Sequence, residues 1–95
     1  MAAATQNPLA PGSLEGKRVL VTGSSRGVGA DTVRYFAGAG ASVVVNYRNK
    51  AARAEKLVAE IEAEGGTAIA VGADLTDADS VAAMLAEIES AYGGL

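Results

Sequence analysis

The sequence predicts an α/β fold built on a parallel sheet, and three observations carry that prediction. Short, continuous apolar runs of strand length alternate with segments whose apolar residues recur at helical spacing. Each helical segment is polar on its other side. A Gly/Ser-rich turn separates the first apolar run from the first helix.

Val19-Leu20-Val21 is the first strand, stopped by Thr22-Gly23. Ala30, Val33, Phe36 and Ala37 then fall on one side of a helix that Gly38-Ala39-Gly40 ends. Val43-Val44-Val45 is a second strand, ended by Asn46-Tyr47-Arg48-Asn49. From Ala51 to Glu64, residues Ala54, Leu57, Val58 and Ile61 form an apolar stripe, with Gly65-Gly66 as the stop. Ala68 to Val71 is a third strand, running out at Gly72-Ala73-Asp74. Thr76, with Asp79 three residues on, reads as the N-cap of a third helix carrying Val81, Met84, Leu85 and Ile88.

The order β-α-β-α-β-α with fully apolar strands implies parallel pairing and helices on both faces, because each parallel connection needs a crossover. Right-handed crossovers leave a Rossmann-type, doubly wound sheet with strand order 3-2-1 as the leading topology: the N-terminal half of such a fold. Residues 1–13 are rich in Ala, Pro and Gly without periodicity and read as a flexible leader, so that 14–95 make up the partial domain.

Composition narrows the function classes. The 95 residues suffice for one small domain, and 49% hydrophobic with 20% charged residues is a globular balance. Eight basic and 11 acidic side chains are dispersed, so the net charge of −3 gives no nucleic-acid footprint. With no Cys and no His, disulfides, Cys/His zinc sites and a His-based triad are excluded from this stretch, and no metal ligands or catalytic residues are assigned in it. No apolar run approaches the roughly 20 residues of a membrane helix. Met1 to Gly16 also lacks the regions of a signal peptide. The expectation is a cytoplasmic protein with no membrane partner.

The turn Thr22-Gly23-Ser24-Ser25-Arg26-Gly27-Val28-Gly29 carries the chemistry. Three glycines between a strand and a helix N-terminus let the backbone turn tightly and let a pyrophosphate approach it, while the helix dipole favours an anion. The spacing is G-x-x-x-G-x-G, neither the commonest dinucleotide fingerprint nor an ATPase phosphate loop. The competing explanation is a glycine turn required only for packing.

Introduced by Leu14-Glu15-Gly16-Lys17, this turn resembles the cofactor fingerprint of the short-chain dehydrogenases/reductases, in a style close to ketoacyl-carrier-protein reductases. The resemblance runs from about Leu14 to the end of the chain. It implies that Gly23, Ser25, Arg26, Gly27 and Gly29 line the phosphates and adenosine ribose, that Val28 lies beneath the nicotinamide side, and that Asp74 and Leu75 flank the adenine. Taken alone, Asp74 would be a turn or cap residue.

The end of the second strand bears on the cofactor. NAD-preferring folds usually place an acid there for the ribose 2′-hydroxyl, and Asn46-Tyr47-Arg48-Asn49-Lys50 has none. By the resemblance, Tyr47 stands where NAD enzymes have the acid, and Arg48 stands next, where many NADP enzymes have a base. A guanidinium grips a 2′-phosphate bidentately where an acid would repel it. Either arginine alone could be a solvated surface charge; Arg48 and Arg26 at two converging loops favour NADP over NAD. Asp31 departs from the family pattern as an acid in the first helical turn, and an outward orientation is expected for it.

The family's proton relay, a Tyr with a Lys four residues later, is not found: Tyr35 is followed by Ala39, Tyr47 by Ala51, and Tyr92 lies too close to Leu95. The resemblance therefore implies a cofactor-binding fragment, inactive alone, that ends before the fourth strand. Its parent would transfer hydride between NADPH and a carbonyl or alcohol, as a homo-oligomer. A non-catalytic dinucleotide-binding or redox-sensing module and a ligand-free structural fragment are the alternatives.

Overall fold

A computed structural model describes residues 12–23 and 27–93. Six elements follow in order: β1 (Arg18–Val21), α1 (Gly27–Gly38), β2 (Ser42–Tyr47), α2 (Ala51–Ala63), β3 (Thr67–Gly72) and α3 (Ala78–Tyr92). β2 is central and pairs in parallel with both neighbours. The order β1-β2-β3 is the predicted 3-2-1 sheet counted from its other edge. Register aligns Val21 with Val45 and Val45 with Ala70.

The pleat sends alternate residues of β2 to opposite faces, and both faces are covered. Val43 and Val45 pack with Val33 and Ala37 of α1 and with Leu57 and Ile61 of α2. Val44, on the other face, packs with Val71, Met84 and Ile88 under α3. All three valines are fully buried, each contributing about 1.5–3 kcal/mol of burial free energy. A run of three β-branched residues is thus explained: β2 has no wet face.

Leu14 packs its side chain on the α1–α2 side of this core and donates its N–H to Ala39 O at 2.8 Å. At the opposite end of the chain two contacts fasten α3. Tyr92 Oη donates to Val43 O at 3.0 Å, and the Arg18 guanidinium donates to Tyr92 O, satisfying a C-terminal helix carbonyl. Burial, reinforced by Glu62, pushes the Tyr92 hydroxyl above its ordinary pKa and keeps it protonated as a donor. No helix among the described residues is long and apolar enough to cross a membrane.

Three local expectations are corrected. The second strand does not stop before Asn46 but continues through Tyr47, because both residues pair with β3 opposite Val71 and Gly72. The cap of α3 is Asp77, accepting from Asp79 N at 3.0 Å, and not Thr76. Thr76 is committed elsewhere: its N–H and hydroxyl both donate to Asp74 Oδ1, at 2.9 and 2.6 Å. Asp31 lies beyond the first turn of α1, which begins at Gly27. Its carboxylate faces outward as expected, bonded to Arg34, which also reaches Glu60 at 2.9 Å.

Candidate cofactor site

Parallel strands deliver all their C-terminal ends to one edge of the sheet, the edge where ligands bind in doubly wound folds. Three loops meet there: the glycine turn after β1, Arg48-Asn49-Lys50 after β2, and Ala73-Asp74-Leu75 after β3. The predicted residues that fall among those described, Gly23, Gly27, Val28, Gly29, Tyr47, Arg48, Asp74 and Leu75, all belong to this edge. Ser25 and Arg26 lie outside the described residues.

Gly23 and Gly27 have φ of +61° and +63°, a region that side chains with a β-carbon rarely adopt. A β-carbon on either would meet nothing within 4 Å, so conformation and not crowding demands glycine here. The open space in front of both, beside the N-terminus of α1, suits an anion that must approach the backbone closely. Val28, in the first turn of α1, is 83% exposed, and Leu75 across the edge is 47% exposed. Gly29 is half-buried in the same turn of α1.

At the end of β2, Arg48 Nη2 stands 3.5 Å from Asp74 Oδ2. The other oxygen of Asp74 holds the two Thr76 bonds, and its backbone N–H donates to Ser80 Oγ at 2.8 Å. The Thr76 hydroxyl and the Thr76 amide lower the Asp74 pKa, desolvation opposes them, and the Arg48 charge adds a lesser lowering. The carboxylate is therefore charged at neutral pH and held in one orientation. Tyr47 lies differently from its sequence neighbour. A β-carbon on Gly72 would come within 2.9 Å of the Tyr47 ring, so the ring lies against β3, and Tyr47 O accepts from Ala73 N.

Sequence reasoning missed Asn46, treating it as a strand terminator. It is 2% exposed, the one buried polar residue among those described. Its Oδ1 accepts from Gly23 N at 3.1 Å, and its Nδ2 donates to Val71 O at 3.3 Å with Met84 Sδ at 3.6 Å. A polar residue at the even position after Val44 was the available signal, since alternation assigns it to the buried α3 face. Arg53 and Lys56 were also passed over; they line a groove between α1 and α2 that begins at Gly27.

Comparison with known proteins agrees with the fold. A family model described as short chain dehydrogenase matches residues 17–95. Short chain dehydrogenase/reductase AacuN of Aspergillus aculeatus is 46% identical over 86 residues, 90% of this chain and 33% of that protein. The 3-oxoacyl-[acyl-carrier-protein] reductase FabG of Staphylococcus aureus is 43% identical over 79 residues, 83% of this chain and 32% of that one. Among solved structures, a short chain dehydrogenase from Burkholderia cenocepacia in complex with NADP superposes with a TM-score of 0.80 at 46% identity, covering 86% of this chain and 34% of that chain. A dehydrogenase/reductase from Sinorhizobium meliloti gives 0.83 at 46% identity, covering 87% and 33%. The chain thus spans about a third of the length of these relatives. With the glycine turn, the parallel sheet and the family model in agreement over most of its length, the chain belongs to the short-chain dehydrogenase family.

Proposed function

We propose that this chain is the cofactor-binding part of a cytoplasmic, NADP-dependent oxidoreductase that moves hydride between NADPH and a carbonyl or alcohol. The observation that carries the reading is the end of β2, where Arg48 stands beside Asp74 and no acid occupies the stretch 46–50. A cation there attracts a 2′-phosphate, and the fixed Asp74 carboxylate holds the guanidinium at the edge of the sheet. The NADP in the Burkholderia cenocepacia structure supports the same choice.

In this reading Gly23 and Gly27 allow the pyrophosphate to come close, and the N-terminus of α1, with Ser25 and Arg26, receives its charge. Tyr47 shapes the ribose end through its backbone, while Asp74 and Leu75 flank the adenine. Gly29 lines the phosphates with Gly23 and Gly27, and Val28 lies beneath the nicotinamide side. The bound cofactor supplies the hydride; these residues bind it, orient it and set which phosphorylation state is accepted. Residues 14–95 are the first portion of the domain, with Leu14 packed against the core, and 1–13 a leader. The proton relay and substrate pocket belong to the part of a homo-oligomeric parent that this chain does not span.

Titration of the whole protein with NADPH and NADH tests the reading. Tighter binding of NADPH is expected. Equal affinity, or a preference for NADH, would refute the assignment of Arg48.

A further inference from the structure

We infer that Asn46 is a positioning residue for the pyrophosphate loop, acting through Gly23; the inference rests on the dinucleotide-binding reading above. Gly23 opens the glycine turn, and its N–H is directed to Asn46 Oδ1 at 3.1 Å. Its amide is therefore taken up by the sheet, leaving phosphate donation to later residues of the turn and the first turn of α1. What Gly23 contributes is the place from which the turn departs.

That place is set by a side chain that reaches across the strand ends. Asn46 sits opposite Val71 in the register of β2 and β3, and its Nδ2 donates to Val71 O at 3.3 Å. The other end of the same amide holds the residue that follows β1 and Thr22. One buried group thus links all three strands at the edge where the cofactor lies. An amide meets this need because it has an acceptor and a donor on one rigid plane. A carboxylate could take the Gly23 bond but would give nothing to Val71 O, and an alkyl chain would leave both backbone groups without this partner. A turn held before the ligand arrives loses less freedom on binding, so the bond acts on affinity as well as on folding.

The test uses the whole protein with Asn46→Leu, and Asn46→Ser should the first variant not fold. Affinities for NADPH, NADH and adenosine 2′-monophosphate are measured on the folded variant, together with hydrogen exchange at the Gly23 amide. Both dinucleotides should weaken in parallel, roughly tenfold, the scale of one lost hydrogen bond. Adenosine 2′-monophosphate, which has no pyrophosphate, should stay within about twofold of its original affinity. The Gly23 amide should exchange faster in either variant and remain protected in Asn46→Asp, which keeps the acceptor. Unchanged dinucleotide affinity in a folded variant, or an equal loss for adenosine 2′-monophosphate, would overturn the inference and reduce Asn46 to a packing role. Failure of the unaltered protein to bind either dinucleotide would instead overturn the functional reading, and this inference with it.

Discussion

The guanidinium of Arg48 and the carboxylate of Asp74 stand 3.5 Å apart, joining the loop after β2 to the loop after β3. The two side chains are 66% and 38% exposed, so the pair adds little to stability in water, and in the proposed reading its consequence is for ligand recognition. Arg48→Ala should weaken NADPH binding by about 10–100-fold, the range for losing a charge-assisted bond of about 1.5–3 kcal/mol. NADH should bind as before. Parallel isothermal titrations with both cofactors check this, and equal losses for the two would place Arg48 outside the 2′-phosphate contact.

A second expectation concerns acid. The Asp74 pKa is lowered in the folded protein, first by the Thr76 hydroxyl, then by the Thr76 amide and by Arg48. A lowered carboxylate pKa contributes stability that is complete above the unfolded value of about 3.9 and is lost as pH falls through the folded value. The stability difference between wild type and Asp74→Asn should therefore be constant from about pH 8 to pH 5 and shrink only below about pH 4. Thermal melts of both proteins across that range measure it; a difference that vanishes already near neutrality would show that Asp74 is not held as described.

Two substitutions away from the site probe the packing. A β-carbon on Gly66 would lie 2.6 Å from Ile61 Cγ2 and 3.1 Å from Ile61 O, so Gly66→Ala should cost about 1–3 kcal/mol through overpacking. Tyr92→Phe removes the bond to Val43 O and should cost about 0.5–1.5 kcal/mol. Denaturant unfolding of each variant gives both numbers. A neutral Gly66→Ala would mean that α2 and β3 can separate more easily than their contacts imply.

The isolated 95-residue polypeptide provides a fourth test. Among the described residues β1 pairs only with β2, so Val19, Leu20 and Val21 lie on an edge whose outer amides are open to another chain. The polypeptide should self-associate or melt at low temperature, bind 2′,5′-ADP weakly and turn over no substrate. Size-exclusion chromatography over a concentration series and an activity assay against a Gly27→Asp blank test this. A monomer with a cooperative, concentration-independent melt at high temperature, or turnover above the blank, would contradict it.

Much of this organisation could be read from the residues in order. Val43, Val44 and Val45 state by their uniform apolarity that both faces of their strand are covered, and Ala54, Leu57 and Ile61 state which side of α2 is dry. The spacing of Gly23, Gly27 and Gly29 after a strand marks the turn proposed to hold the cofactor. These signals are local, because strand alternation and helical repeat express themselves within a few residues. The roles of Asn46, Tyr47 and Thr76 were not available in that way. Asn46 acquires its function from Gly23 and Val71, 23 and 25 residues distant. Tyr47 turns toward β3 because residue 72 carries no β-carbon to exclude its ring. Thr76 donates to Asp74, while Asp77 accepts from Asp79 N and takes the helix cap. Each is a choice among partners that come within reach only when strand pairing sets the register, and hydrogen-bond geometry then selects one of them.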